Sequence, residues 1–211
     1  TIVIGGGCLG AATAISLQKK LNKKNKGEKV CLIDKSVLCA AESSRHSGIV
    51  RSANADQDAS IMASESTKLW KNLKSIWGVD MEMEQFGTIW IAKKNQDGKN
   101  RIWHELSKRM ESINIVFKEI DHNIAADLCG DSLIVDENES YYFEPDALQI
   151  DPSILRSTIY EALDYNGVDV LEKTNVDAFL NDSNEISSCI TNNGKLVAKN
   201  FVNAVGAWSP Q

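Results

Sequence analysis

Gly5, Gly6, Gly7 and Gly10, with Cys8 and Leu9 between them, are the first residues whose type and spacing could do chemistry. A G-x-G-x-x-G turn dispenses with Cβ atoms where a backbone must bend sharply, approach a ligand closely and pack a helix on a strand. The chemistry is recognition of a pyrophosphate, because the first amides of the following helix are unpaired donors at the positive end of its dipole. Such a turn has that meaning only between a strand and a helix. Thr1–Ile4 is a β-branched run that predicts the strand, and Ala11–Leu21 has helical composition. A second strand should then end in an acid that accepts hydrogen bonds from an adenosine ribose. Lys29–Ile33 is that strand and Asp34 that acid, with Lys35 beside it. The interval from Gly10 to Asp34 exceeds the usual span of about 20 residues, and the polar stretch 22–28 absorbs the excess as an extra helical turn and loop. An acid here disfavours a 2′-phosphate, and so NADP; it leaves NAD and FAD open.

The choice between them rests on the next segment of the chain, which carries Ser43, Ser44, Arg45, His46, Ser47, Gly48, Ile49, Val50 and Arg51. Small side chains there let backbone amides approach a phosphate or the polar edge of a ring. In this segment the sequence resembles the D-amino-acid oxidase superfamily of FAD-dependent oxidoreductases, which includes glycine oxidase, sarcosine oxidase, dimethylglycine dehydrogenase and L-2-hydroxyglutarate dehydrogenase. Two later segments carry the same resemblance. Tyr141–Pro152 is similar to the family's aromatic run, turn and Asp-Pro, and Phe201–Ser209 is similar to its strand ending in Asn-Ala-Ala-Gly-Ala-Trp-Ser, with Val205 in place of an alanine.

The resemblance implies an α/β fold, a Rossmann-like FAD-binding domain of the glutathione-reductase type with an interleaved α+β substrate domain. It divides the chain into 1–80 (FAD-binding), 81–149 (substrate domain) and 150–211 (FAD-binding, incomplete). It implies cofactor contacts from Gly5, Gly6, Gly7, Cys8, Leu9, Gly10, Asp34, Lys35, Ser43, Ser44, Arg45, His46, Ser47, Gly48 and Ile49. Later in the chain it adds Val176, Ala204, Gly206, Ala207 and Trp208. Some relatives bond FAD covalently to a histidine in the Ser-rich segment, at the place of Arg45; here the histidine is one residue on, so the expectation is non-covalent FAD. The implied reaction is oxidation of a small amino or hydroxy acid at a C–N or C–OH bond by hydride transfer, with electrons passing to oxygen, a carrier protein or a quinone. His46, Arg51 and Arg45 are the candidates for catalysis or for anchoring a substrate carboxylate. A planar guanidinium suits that anchor, but Arg51 could equally face solvent or a phosphate. Family members continue beyond the equivalent of Gln211, which implies a further C-terminal segment or a second chain completing the fold. The alternative reading is an assembly subunit that keeps the flavin fold without catalysis.

The elements that must position these residues read coarsely. Asp58–Ile76 predicts one amphipathic helix with Ile61, Met62, Leu69, Trp70 and Leu73 facing a core. Gly87–Ala92 predicts a strand, Lys99–Glu111 a helix and Ile113–Ile120 a strand. Tyr141 and Tyr142 could line a substrate cavity. Asp151-Pro152 opens a helix that stops at Asn166-Gly167. Val168–Leu171 and two strands about Asn192-Asn193-Gly194 complete the pattern.

Composition bounds the rest. The 211 residues are 43% hydrophobic and 25% charged, enough for a sizeable core. With a net charge of −6 and its basic cluster at Lys19, Lys20, Lys23, Lys24, Lys26 and Lys29, the chain is not expected to bind nucleic acid. Those lysines suit the solvated end of a helix. The five scattered cysteines form no C-x-x-C pair, which predicts neither a disulfide framework nor a metal site and points to a reducing compartment, the cytoplasm or the mitochondrial matrix. No apolar run reaches membrane-spanning length.

Overall fold

A computed structural model describes residues 1–24, 27–95, 100–182 and 185–209. The elements run as β1 (Ile2–Ile4), α1 (Cys8–Lys23), β2 (Cys31–Ile33), β3 (Ile49–Val50), α2 (Gln57–Lys71), α3 (Leu73–Trp77), β4 (Thr88–Lys93), α4 (Arg101–Ser112), β5 (Lys118–Ile120) and α5 (His122–Cys129). They continue as β6 (Glu139–Glu144), β7 (Leu148–Gln149), α6 (Pro152–Asn166), β8 (Asp169–Leu171), β9 (Val176–Asp182), β10 (Glu185–Thr191), β11 (Gly194–Val197) and β12 (Phe201–Asn203). Two compact units result. The first holds Thr1–Ser47, Leu73–Met81 and Pro152–Gln211; the second holds Gly48–Asn72 and Glu82–Asp151. Residues 48–72, expected with the first domain, make their contacts in the second unit, because β3 pairs with β7 there.

In the first unit β12-β1-β2-β8 form a parallel sheet. Its strands are short and apolar, with Ile2, Val3, Leu32 and Ile33 buried, as parallel strands covered by helices require. Ala11, Ala14 and Ile15 of α1 and Leu155, Ile159, Ala162 and Leu163 of α6 are buried as well. Alanines at 11 and 14 let the helix axis approach its neighbours closely, and each buried Leu or Ile removes enough surface to contribute roughly 1.5–3 kcal/mol. Two buried amides tie the layers together. Gln18 Oε1 accepts from the Val30 amide at 2.8 Å, holding the end of α1 to the start of β2. Asn166 Nδ2 donates to the carbonyls of Trp77 and Ala162, both at 2.7 Å. Gly167, at φ +73°, ends α6. Strands β11-β10-β9 make an antiparallel sheet, with β9 lengthening what the sequence predicts as a two-strand hairpin.

The second unit is built on the antiparallel sheet β4-β6-β5. Trp90, Trp103, Phe117 and Tyr142 pack against Ala53, Met110 and Ile115. The Phe117 and Tyr142 rings stack at 5.4 Å between centroids, and Trp90 meets Phe117 edge-on at 5.7 Å. Tyr142 is therefore a core residue, not part of a cavity wall. Tyr141 is equally buried, and its hydroxyl accepts from the Asp136 amide at 2.8 Å. Glu144, fully buried on β6, accepts from the Ala53 amide at 3.2 Å and from the Ser52 amide, so one carboxylate oxygen fixes the chain entering α2.

Three expectations change. The helix over 58–76 is two helices, interrupted at Asn72, whose side chain donates to the Lys68 carbonyl at 2.9 Å and so caps α2. The buried positions of α2 include Ser60 and Thr67, while Met62 is 73% and Leu69 57% exposed; of the predicted stripe, Leu73 on α3 is the residue that joins the core. The strand over 113–120 shortens to β5, because Asn114 adopts φ +59° and turns the chain, leaving Ile115 and Phe117 to fill the aromatic core. Helix α5 escaped the sequence reading. Its signal was Asp121, which caps it by accepting from the Asn123 amide at 2.8 Å. The helix over 99–111 begins at Arg101; Lys99 lies outside the described residues, as does Lys26 of the basic cluster.

Candidate dinucleotide site

The glycine turn joins β1 to α1, and its glycines serve different ends. Gly5 sits at φ +106°, where a Cβ would lie 2.4 Å from the Ala204 carbonyl oxygen. At Gly10 a Cβ would fall 1.8 Å from the Gly5 carbonyl oxygen. Both are thus required by the packing of the chain on itself. Gly7 differs. It caps α1 in extended backbone at φ −78°, and among the described residues the only contact its Cβ would make within 4 Å is the Ser43 Oγ at 3.0 Å. The amides of Leu9 and Gly10 lie in the first turn of α1, where no intrahelical carbonyl is available, while the Cys8 amide donates to Ser43 Oγ at 3.0 Å. Leu9 is 81% exposed.

Asp34 follows β2 at the expected place. Its Oδ2 accepts from the Gly6 amide at 2.7 Å and its Oδ1 from the Ser36 amide at 2.7 Å. Each oxygen keeps a second acceptor position for a ligand hydroxyl. Thr174 and Lys173 donate their amides to the carbonyls of Asp34 and Ser36 at 2.8 and 2.9 Å, which brings the segment leading to Val176 to this end of the sheet. Ala204 donates its amide to the Ile4 carbonyl at 2.8 Å, so the segment after β12 runs beside Gly5. Gly206, at φ +60°, has none of the described residues within 4 Å of where a Cβ would be. Ala207 and Trp208 come next in the chain, and the Lys35 ammonium lies 4.3 Å from the centre of the Trp208 ring. The glycine turn, Asp34, Lys35, Ser43 and the 204–208 segment therefore belong to one unit, on loops that follow the C-terminal ends of parallel strands, where open α/β sheets bind their ligands.

The Ser-rich segment divides. Ser43 and Ser44 lie on a short helical turn, with Ser44 Oγ donating to the Ala41 carbonyl at 3.2 Å. Arg45 and His46 are exposed, and a ring nitrogen of His46 lies 3.1 Å from the Ser43 carbonyl oxygen. Ser47 closes the first unit, whereas Gly48, Ile49 and Arg51 belong to the second. Gly48 needs its positive φ of +78° for its own backbone: a Cβ would meet the Ile150 carbonyl oxygen at 2.1 Å. Arg51 donates from Nη1 to the Ala53 carbonyl at 2.7 Å and lies 4.3 Å above the Trp90 ring. A guanidinium stacked and tethered in this way is fixed in orientation and remains exposed. Among the described residues no group of three or more His, Cys, Asp or Glu side chains could hold a metal ion.

The sequence reading missed one arrangement at the turn. Cys39, in the loop after β2, donates its amide to the Gly6 carbonyl at 2.9 Å and meets Cys8 thiol to thiol. A hydrogen bond from Cys39 lowers the Cys8 thiol to about 6 against the opposing effect of burial, with Ser43 and His46 adding to the lowering, while Cys39 is pushed up by the same hydrogen bond. Nothing in residue spacing signals a pair so far apart in sequence.

This geometry agrees with the sequence comparison. The model of the FAD-dependent oxidoreductase (DAO) family matches residues 1–211. The chain belongs to that family. A curated relative is the mitochondrial regulatory subunit of pyruvate dehydrogenase phosphatase from Mus musculus, 23% identical over 208 residues, which are 99% of this chain and 23% of the relative. Among solved structures, L-proline dehydrogenase from P. horikoshii superposes with a TM-score of 0.83 at 25% identity, covering 98% of this chain and 52% of that one. Glycine oxidase from Bacillus cereus gives 0.80 at 22% identity, covering 98% and 55%. The chain thus spans about a quarter of the curated relative and about half of these family structures. The residues present fit the FAD that defines the family: a glycine cradle that a Cβ at Gly7 would fill, two open helix amides, an acid after β2 beside the turn and open backbone at Gly206.

Proposed function

We propose that this chain carries the dinucleotide half of an FAD-dependent enzyme that oxidises a small amino or hydroxy acid. The observation that carries this reading is the Gly7 cradle beside Asp34, in a chain whose whole described length has the fold of this family. Leu9 and Gly10 hold the pyrophosphate through their amides, Asp34 holds the adenosine ribose, and Val176, Lys35 and Gly206–Trp208 border the same end of the sheet. Bound FAD supplies a two-electron acceptor for hydride removal from a carbon bearing nitrogen or oxygen. Arg51 anchors the substrate carboxylate: its guanidinium is already oriented by Ala53 and Trp90, so little rotamer entropy is lost on binding. FAD is held without a covalent bond, since His46 is turned back to the Ser43 carbonyl. Electrons leave to oxygen, a carrier protein or a quinone, and the free cysteines suit a reducing compartment.

The test is flavin retention and anaerobic bleaching by small amino and hydroxy acids. A yellow protein whose flavin is released on denaturation and bleached by one of these acids supports the reading. Arg51→Ala should then raise KM about 10- to 100-fold, the loss of one charge-assisted bidentate contact, with flavin content unchanged. A protein that retains no FAD would overturn it. The second reading, a non-catalytic assembly subunit, is favoured by the likeness to a regulatory subunit. It predicts flavin retention without bleaching and co-purification with a second protein.

A further inference from the structure

We propose that Cys8 and Cys39 are a modification site, a dithiol that hydroperoxides convert reversibly to a disulfide across the base of the glycine turn. The two cysteines are held together by backbone, not by chance contact of flexible side chains. Cys8 is the first residue of α1, fixed by its amide to Ser43 Oγ. Cys39 is fixed by its amide to the Gly6 carbonyl, and its Sγ lies 3.7 Å from the same oxygen. Cys39 holds φ +58°, a left-handed conformation uncommon for a residue with a Cβ, which the surrounding bonds maintain. A hydrogen bond joins the two thiols, and Ser43 and His46 also act on Cys8.

The partners are unequal in the way such chemistry needs. Cys8 is partly exposed, stands at a helix N-terminus and has its pKa lowered by the hydrogen bond from Cys39, so it carries the larger thiolate fraction of the pair and is the attacking group. Cys39 is 2% exposed and remains a protonated thiol. The Cys8 thiolate attacks one oxygen of hydrogen peroxide, the O–O bond breaks, and the hydroxide released takes a proton to leave as water, giving a sulfenic acid. The Cys39 sulfur displaces the sulfenic hydroxyl, which leaves with the Cys39 proton as a second water. Across both steps two thiols lose two electrons and two protons, and one peroxide becomes two waters. A thiol reductant reverses the step.

The disulfide does not depend on the function proposed above, but one consequence does. A bound pyrophosphate would put negative charge at the helix end that favours the Cys8 thiolate, raise its pKa and slow its oxidation.

The experiment uses the full chain, reduced, treated with one equivalent of hydrogen peroxide with and without added FAD, then denatured, alkylated and peptide-mapped. Cys8 and Cys39 peptides should be linked and two hydrogen atoms lighter, and Cys31, Cys129 and Cys189 alkylated as before. In the reduced protein, the iodoacetamide rate at Cys8 should be half-maximal near pH 6. Cys31, pushed up to about 11 by burial and by Asp169, should stay unmodified at pH 8. Cys39→Ser should stop the reaction at a sulfenic acid that dimedone traps on Cys8. Should that variant fail to fold, the map of the unsubstituted protein decides alone. Cys8 and Cys39 both alkylated after peroxide, or a link through another cysteine, overturns the proposal. A Cys8–Cys39 link that FAD does not slow leaves the dithiol standing and refutes instead the placing of the pyrophosphate at this turn.

Discussion

Replacing Gly7 with alanine should separate the fold from the cofactor site, because the structure asks little of Gly7 for folding. Its φ of −78° is one alanine adopts freely, and its Cβ would press on the Ser43 hydroxyl, a rotor that can swing away. The expected cost is the loss of a helix-cap glycine and part of the Ser43 bond to Cys8, about 1 kcal/mol, or a Tm lower by about 2–4 °C in a chain of this size. The same Cβ stands where a pyrophosphate must approach the Leu9 and Gly10 amides. Losing one charge-assisted hydrogen bond there costs about 1.5–3 kcal/mol, so FAD affinity should fall about 10- to 100-fold. Gly10→Ala should do the reverse in order of severity. Its Cβ meets a backbone oxygen that cannot swing, an overpacking cost of about 3 kcal/mol that lowers the Tm by roughly 6–12 °C before any ligand is considered. The assay is FAD titration by fluorescence quenching beside thermal denaturation of the cofactor-free proteins. Adding Ser43→Ala to Gly7→Ala relieves the internal contact but not the one with FAD, so affinity should stay low in the double variant. Unchanged FAD affinity in Gly7→Ala, or full recovery in the double variant, would refute the reasoning.

Two more outcomes rest on carboxylates that accept backbone amides. Asp34→Ala removes the acceptor for the Gly6 and Ser36 amides and, in the proposed site, for the ribose, and should weaken FAD about 10- to 100-fold in the same titration while lowering the Tm by only a few degrees. Glu144→Ala strands the amides of Ser52 and Ala53 without an acceptor and leaves a cavity, so urea denaturation should show a loss of about 3 kcal/mol; a loss under about 1 kcal/mol would mean that water satisfies them.

How local each interaction is decides whether the sequence revealed it or hid it. The β1–turn–α1 unit was legible because every rule that builds it acts within ten residues: β-branched strand, glycines, alanine-rich helix. Asp34 was legible because its position is counted along the chain from that turn. The split of α2 from α3 was not, since the Asn72 side chain competes for the Lys68 carbonyl in a way periodicity does not see. Nor was the burial of Ser60 and Thr67 in place of Met62 and Leu69. Those hydroxyls bond Asn54 and Ser52, so the polar face of α2 is the packed one. Tyr142 looked available for a cavity until Phe117 and Trp103 closed over it.

A match to G-x-G-x-x-G therefore compresses two kinds of constraint into one pattern. At Gly5 and Gly10 the glycine is demanded by the Ala204 and Gly5 carbonyls, which would exclude a side chain whether or not a ligand ever bound. Of the three motif glycines, Gly7 alone has its missing Cβ left without a backbone neighbour, so it is the position where the chain's own packing does not account for the residue. Gly48 falls with the first kind, since Ile150 occupies the space a side chain would need. Gly206 falls with the second in its open surroundings, although its φ of +60° gives glycine a conformational reason as well. The strength of the dinucleotide reading thus rests on Gly7, Asp34 and the exposed Leu9 turn, and the remaining glycines testify to the fold that presents them.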